Sequence, residues 1–274
     1  MNLNGREVDV QDSGTGPAVL FLPGSYSTLA AWRPMLRLLP PGMRFVSTSL
    51  CGYGGTHDPR TPDDFAITHL VDQVRALAGH IGQPLHLVGH SFGGTVALAA
   101  ALSETVRVAS LALFEANPMP LVRDTDGGQI YRDTVHMSQA FAAAVQASEP
   151  DAPRRVIDFW GGTGAYARMP ESVQAYCRQT AAVNVLDWQT DLSMPVTAQD
   201  LARLSCPVLL VRGEHANAAM VQVTEVLRHA LPNVQPAVVA DAGHFLVTTH
   251  PTPCAQLLGL FLTQVNSTPQ EHPP

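Results

Sequence analysis

The chain has 274 residues, 46% hydrophobic and 14% charged, with a formal net charge of −7. That balance suits one large α/β domain carrying an insertion and excludes intrinsic disorder, which needs low hydrophobicity with high net charge. All 16 basic residues are arginine and no basic run occurs, so neither nucleic acid nor an anionic membrane surface is an expected partner.

Residues 1–13 allow one or two antiparallel edge strands. Short apolar runs at 18–22, 44–50, 85–88, 106–114, 208–211 and 234–240 then predict buried strands. Helical patterns at 28–39, 63–80, 92–103, 220–230 and 252–265 alternate with them, with Asp63 and Asp64 at one helix start and Gly82 past its end. The alternation predicts a parallel sheet with helices on both faces. It breaks between Asn117 and Leu204, where helical patterns at 131–148 and 172–183 make the segment an insertion between two neighbouring strands. The expected organisation is a core over 1–117 and 205–266, a helical cap over 118–204 covering a ligand site, and a flexible tail over 267–274.

Cys51, Cys177, Cys206 and Cys254 are widely separated, which reads as free thiols and not as a disulfide framework or a zinc site. The N-terminal residues hold no apolar signal segment, and no apolar run approaches the ~18 residues needed to span a bilayer. The expectation is a soluble, cytoplasmic protein. Its oligomeric state stays open, a homodimer through the cap or an edge strand being compatible with the pattern.

The chemistry gathers around Gly89-His90-Ser91-Phe92-Gly93, placed between an apolar run and an Ala-rich helical pattern. Gly-x-Ser-x-Gly in that context sets the serine on a sharp strand-to-helix turn, where side chains at Gly89 and Gly93 would collide with neighbouring backbone. The turn exposes the Ser91 hydroxyl and leaves the Phe92 N–H at a helix N-terminus, facing any oxyanion that forms. A serine hydroxyl needs a positioned base and an orienting acid. His244, in Asp241-Ala242-Gly243-His244-Phe245 after the last strand run, is the candidate base. His90 is expected to pack beside the turn; His57, His215 and His250 are surface or lid-lining residues.

On these residues the chain resembles the α/β-hydrolase fold family, in its branch with a helical cap. The likeness runs from Pro23-Gly24-Ser25 through the elbow to Gly243-His244, essentially the whole length. It implies an eight-stranded, mostly parallel sheet and an oxyanion hole of two backbone N–H groups, here Phe92 and Ser25. Pro23 stands where relatives usually have His, which loses a side-chain contact and keeps the loop's backbone donor. Cys51-Gly52-Tyr53-Gly54-Gly55-Thr56 matches the family's Arg-Gly-x-Gly-x-Ser turn, with Cys51 at the Arg position. Most relatives place the acid as Asp in a Gly-Glu-x-Asp pattern, but Gly213-Glu214-His215-Ala216-Asn217 puts Ala216 there. The other family solution is a carboxylate ending the preceding strand. Leu113-Phe114-Glu115-Ala116-Asn117 resembles the Glu-containing turn of haloalkane dehalogenases that use it. Glu115 is therefore the preferred acid, with Glu214, Asp241 and Asn217 as alternatives, and a helix-capping role as the plainer reading of Glu115.

Dehalogenases and epoxide hydrolases differ in carrying Asp at the elbow, where an alkyl-enzyme ester forms; a seryl oxygen forms an acyl-enzyme instead. The expected activity is hydrolysis of a small or medium ester or related acyl compound, with no metal or organic cofactor. Hydrolysis of a carbon–carbon bond in a β-diketone or ring-cleavage product needs the same triad, and a ligand-binding protein with little turnover is the rival from another class. Tyr26, Met119, Trp160 and Phe245 are the candidate pocket residues. Phe159, Tyr166 and Met169 either join them or fasten the cap. Gly161-Gly162-Thr163-Gly164 lacks a following Lys and a strand-to-helix context, so it is no phosphate loop.

Overall fold

The computed structural model describes residues 1–267. The expected tail at 267–274 therefore lies outside the described residues, save Ser267, the last residue of the final helix. Strands β1 (Asn2–Leu3) and β2 (Arg6–Glu7) pair antiparallel across Asn4-Gly5, with φ of 54° and 82° at the two turn residues. Asn and Gly tolerate that left-handed turn, which matches the right-handed twist of a hairpin. The main sheet takes β3 (Val10–Gly14), β4 (Ala18–Leu22), β5 (Arg44–Thr48), β6 (Leu85–His90), β7 (Val108–Phe114), β8 (Val208–Gly213) and β9 (Val234–Val239). Their spatial order is β3-β5-β4-β6-β7-β8-β9, with β3 antiparallel and every other pairing parallel. The sheet thus has seven strands where eight were expected, because the short N-terminal hairpin closes on itself and does not join the sheet edge.

The connecting helices are α1 (Arg33–Leu36), α2 (Thr68–Ile81) and α3 (Phe92–Leu102), then α10 (Ala218–Ala230), α11 (Leu246–Thr249) and α12 (Pro251–Ser267). Strand alternation assigns them to faces. On β4, Ala18, Leu20 and Leu22 enter one apolar cluster with α2, α3 and α10, while Val19 and Phe21 enter the other with α1 and α12. Helix α2 starts at Thr68, later than Asp63 suggested. Thr61 and Asp64 bond each other's backbone, and the Thr61 hydroxyl accepts from Asp64 N–H, so both acidic residues stay in a turn. The expected helix over 28–39 splits into a 3₁₀ turn at Leu29–Trp32, capped by Thr28, followed by α1.

Between β7 and β8, which are neighbours in the sheet, lie α4 (Gly128–Gln146), α5 (Arg154–Gly161), α6 (Ala165–Arg168), α7 (Glu171–Gln179), α8 (Ala181–Ser193) and α9 (Ala198–Leu201). The pattern at 172–183 is two helices, broken where Thr180 leaves helical ψ at 13° and its hydroxyl bonds Tyr176 C=O. Phe141, Trp160 and Trp188 from these helices share one apolar cluster with Leu87 and Leu113 of the sheet. A polar clamp adds to that packing. Asp187 on α8 accepts from Arg60 Nη1 at 2.8 Å, Tyr53 Oη at 2.7 Å and Ser25 Oγ at 2.5 Å, all three from core loops. The Arg60 side chain is fully buried and Asp187 is 3% exposed. Asp58 completes the guanidinium's pairing at 2.9 Å.

Losing one partner of such a pair strands a charge in low dielectric, at about 3–5 kcal/mol. Asp187→Asn is expected to lower unfolding stability by about 3 kcal/mol, toward the low end because Asp58 remains. Urea midpoints of variant and wild type check this, and an unchanged midpoint would contradict it.

Candidate active site

The sheet order reverses direction beside β4: the chain runs outward from β4 to β5, then crosses back to β6 on its other side. A crevice opens outside the carboxyl ends of strands at such a point. Here it brings the loop after β4, Pro23-Gly24-Ser25-Tyr26, against Ser91 after β6. A Cβ placed on Gly24 would stand 3.1 Å from the Ser91 Cβ.

Ser91 holds φ 52° and ψ −127°, a conformation that ordinary L residues avoid, and its N–H bonds Phe114 C=O at 3.0 Å. The elbow is as tight as its glycines imply. A Cβ on Gly89 would lie 2.4 Å from Gly93 O, and one on Gly93 would lie 2.3 Å from Leu22 O and Pro23 O. Phe92 is the first residue of α3, so its N–H has no carbonyl to reach within the helix and lies beside Ser91.

The loop after β9 delivers His244, 3% exposed. Its Nε2 lies 3.0 Å from Ser91 Oγ and its Nδ1 lies 2.7 Å from Glu115 Oε2. An ionised carboxylate can only accept, so Nδ1 carries the proton and Nε2 offers its lone pair to the Ser91 hydroxyl. Glu115, 1% exposed with φ 47°, ends β7. Its second oxygen, Oε1, accepts from Gly213 N–H at 2.7 Å, so the buried carboxylate has a partner on each side.

The alternative acids sit elsewhere. Glu214 Oε2 accepts from the backbone N–H of Asp241, and both residues are exposed. Asn217 caps α10 through Met220 N–H, and its amide donates to Phe159 C=O. Glu214, His215 and Asp241 draw within reach of one another at the surface. His215 and Asp241 are mostly exposed there, away from the buried imidazole.

His90 and Trp160 hold the imidazole in place. His90 Nε2–H donates to His244 C=O at 2.8 Å. Trp160 from α5 stacks on the His244 ring at 4.9 Å and 22°, and also meets Trp188 of α8 at 6.0 Å and 5°. Phe245 meets the same imidazole edge-on at 5.5 Å. The sequence signals Ser91, His244 and Glu115 by motif and position. It carries no comparable signal for Trp188, whose relation to the imidazole exists only once α5 and α8 pack together.

Above these residues opens a cavity of 610 Å³, lined by apolar side chains such as Val156, Ile157 and Met169 together with Gly24, Ser25 and Ser91. Tyr26, Trp160 and Phe245 line it as expected from the sequence. Met119 does not: flanked by Pro118 and Pro120 at the start of the 3₁₀ turn Met119–Val122, it is wholly buried in the core, and its backbone N–H donates to Asp191. Phe159 packs edge-on to Trp160, and Tyr166 joins a small cluster with Ile157 and Cys177; neither borders the cavity. Cys51 takes a structural part, its thiol donating to Gln73 Oε1.

Comparison with known proteins agrees with this geometry. The family model for the alpha/beta hydrolase fold matches residues 17–251. A fluoroacetate dehalogenase of Burkholderia sp is 28% identical over 96% of this chain and 94% of its own length. A monoacylglycerol lipase of Bos taurus is 24% identical over 93% of this chain and 78% of its own. Among solved structures, a thermophilic esterase from Thermogutta terrifontis superposes with a TM-score of 0.75 at 22% identity, covering 96% of this chain and 95% of that one. No helix among the described residues is long and apolar enough to cross a membrane.

Burial, with the nearby His244 adding to it, lowers the His90 pKa from 6.5 to about 3, against the pull of its bond to His244 C=O. Between those values the unfolded chain takes up a proton that the folded chain refuses. The stability this residue confers is therefore complete above pH 6.5 and falls by about 1.4 kcal/mol per pH unit below it. His90→Gln keeps an amide donor for His244 C=O and should remove that slope. Urea midpoints measured from about pH 7 down to pH 4 check it; parallel wild-type and variant curves would contradict it.

Proposed function

This chain belongs to the alpha/beta hydrolase fold family, and from that premise we propose that it is a serine hydrolase of a small or medium ester or related acyl compound. The observation that carries the reading is the hydrogen-bonded line Ser91 Oγ, His244 Nε2, His244 Nδ1, Glu115 Oε2, buried at the floor of a 610 Å³ cavity.

In this mechanism His244 Nε2 takes the Ser91 proton as Oγ attacks the substrate carbonyl. The imidazolium that forms faces the Glu115 carboxylate, which Gly213 N–H keeps in place. Oxyanion charge develops beside the helix N-terminus, where the N–H groups of Phe92 and Ser25 receive it. The Ser25 hydroxyl is tied to Asp187, which restrains the loop that carries this N–H. His244 then returns its proton to the leaving group and the acyl-enzyme forms. A water deprotonated by the same nitrogen attacks the acyl carbon, and collapse of the second tetrahedral intermediate frees the acid and Ser91.

The serine also sets this chain apart from the chemistry named for its dehalogenase relative. Displacement at a saturated carbon by Ser91 Oγ would leave an ether, which water does not cleave under these conditions. Attack at an acyl carbon leaves an ester, which water does cleave. The residues present therefore favour acyl transfer.

A fluorophosphonate time course read by intact mass tests the reading. Single labelling of wild type and none of Ser91→Ala is expected, while no labelling of folded wild type would overturn it in favour of ligand binding without turnover. Glu115→Gln is expected to lower kcat by about 10³–10⁴-fold, since the imidazole loses both its tautomer and its counter-charge. Glu214→Gln should stay within about twofold of wild type, and equal losses in the two variants would overturn the assignment of Glu115 as the acid.

A further inference from the structure

One face of α8 borders the cavity, and it is polar where a packed helix would be apolar. Asn184, Asp187, Trp188 and Asp191 recur at spacings of three and four residues and all four line the cavity. Asp187 is spent on Arg60, Tyr53 and Ser25. The other two polar residues are not spent. Asn184 is 2% exposed, and its Oδ1 is buried without a hydrogen-bond partner. Asp191 is 3% exposed; Oδ2 accepts from Met119 N–H at 3.2 Å, while Oδ1 is buried and unpartnered. Across the cavity lining, Tyr26 Oη is likewise buried with no partner.

An unpaired buried acceptor costs about 1–3 kcal/mol, and a leucine at such a position would avoid it. Unpaired polar groups on residues that line a substrate cavity regain that cost when a ligand supplies the missing bond. Resting on the serine-hydrolase reading, we propose that Asn184, assisted by Asp191 two turns along the same face, recognises an uncharged hydrogen-bonding group, a hydroxyl or carboxamide, on the acyl substrate. The preferred substrates are then hydroxylated or amide-bearing acyl esters and not plain fatty acyl esters.

The charge of the recognised group follows from the surroundings. Arg60 behind this face is already held by Asp187 and Asp58, and the cation of the cavity lining, Arg168, is exposed on α6 with its Nη1 donating to Thr163 C=O, so neither is a free buried counter-charge for a carboxylate or phosphate. Asp187 has its oxygens taken up by Arg60, Tyr53 and Ser25. Burial outweighs the bond from Met119 N–H and pushes the Asp191 carboxyl up to about 8, so near neutral pH it is largely protonated and offers no full charge to an ammonium. A protonated carboxyl and an amide on the same lining face suit groups that both donate and accept, as a hydroxyl does.

The test compares 4-nitrophenyl esters of unsubstituted acids with their hydroxy and amino counterparts of equal length, such as butanoate with 3-hydroxybutanoate and hexanoate with 6-hydroxy- and 6-aminohexanoate. In the wild type at least one hydroxy ester should exceed its plain counterpart in kcat/KM by about tenfold or more. In Asn184→Leu that ratio should fall to about one, while the thermal midpoint holds or rises because an unsatisfied polar group has gone. No hydroxy preference in a wild type whose Ser91 is labelled by fluorophosphonate would overturn this inference and leave the hydrolase reading standing. A preference that survives in Asn184→Leu, or a larger one for the amino ester, would also overturn it. Failure of folded wild type to label would instead remove the hydrolase reading on which it rests.

Discussion

The buried carboxylate of Glu115 is the constraint around which the site is arranged. A charge with 1% exposure is tolerable only when its oxygens are matched, and here each has a partner: Gly213 N–H on one side and His244 Nδ1 on the other. Those two bonds join the end of β7 to the end of β8 and to the loop after β9, three places far apart in the chain. They also decide the imidazole tautomer, and hence which nitrogen faces Ser91. The left-handed backbone at Glu115 and the strained one at Ser91 lie on adjacent strands and are held by packing from both faces of the sheet.

The helices between β7 and β8 do more than roof the cavity. Through Trp160 they supply the ring that stacks on His244, and through Asp187 they hold the Ser25 side chain of the loop after β4. The site is thus shared between the sheet and the inserted segment, and a displacement of α8 would move the Ser25 loop and the tryptophan pair together. This coupling gives a buried ion pair, Arg60 with Asp187, a functional reason to persist where an apolar pair could pack as well.

Much of the architecture was legible in the sequence because it is written locally. Short continuous apolar runs place β4 to β9 within two residues, and Gly-x-Ser-x-Gly announces the elbow because a Cβ at Gly89 or Gly93 would come within 2.3–2.4 Å of backbone oxygens. Less legible were the helix starts and the strand count. Asp63 and Asp64 look like caps but serve a turn, and the N-terminal hairpin closes on its own Asn-Gly turn and not on the sheet. Met119 reads as a pocket residue because it flanks Glu115, yet the 3₁₀ turn it opens, with Pro118 before it and Pro120 after it, leaves it buried in the core.

By itself the sequence determined the hydrolase-type α/β framework, the serine at its elbow, the histidine after its last strand and the departure of the acid from Gly213-Glu214-His215-Ala216. Each of these depends on neighbours within a few residues, or on the order of elements along the chain. Tertiary structure decided among the carboxylates the sequence offered, with Glu115 preferred, and it alone decided which tryptophan covers His244 and which residues of the cavity lining keep an unpaired polar atom. Glu115 and His244 are 129 residues apart, Arg60 and Asp187 are 127 apart, and the place of Asn184 and Asp191 in the cavity lining exists only once α8 is packed in the fold. Contacts at such separations follow from how packed faces meet in three dimensions, and no local pattern of residues encodes them.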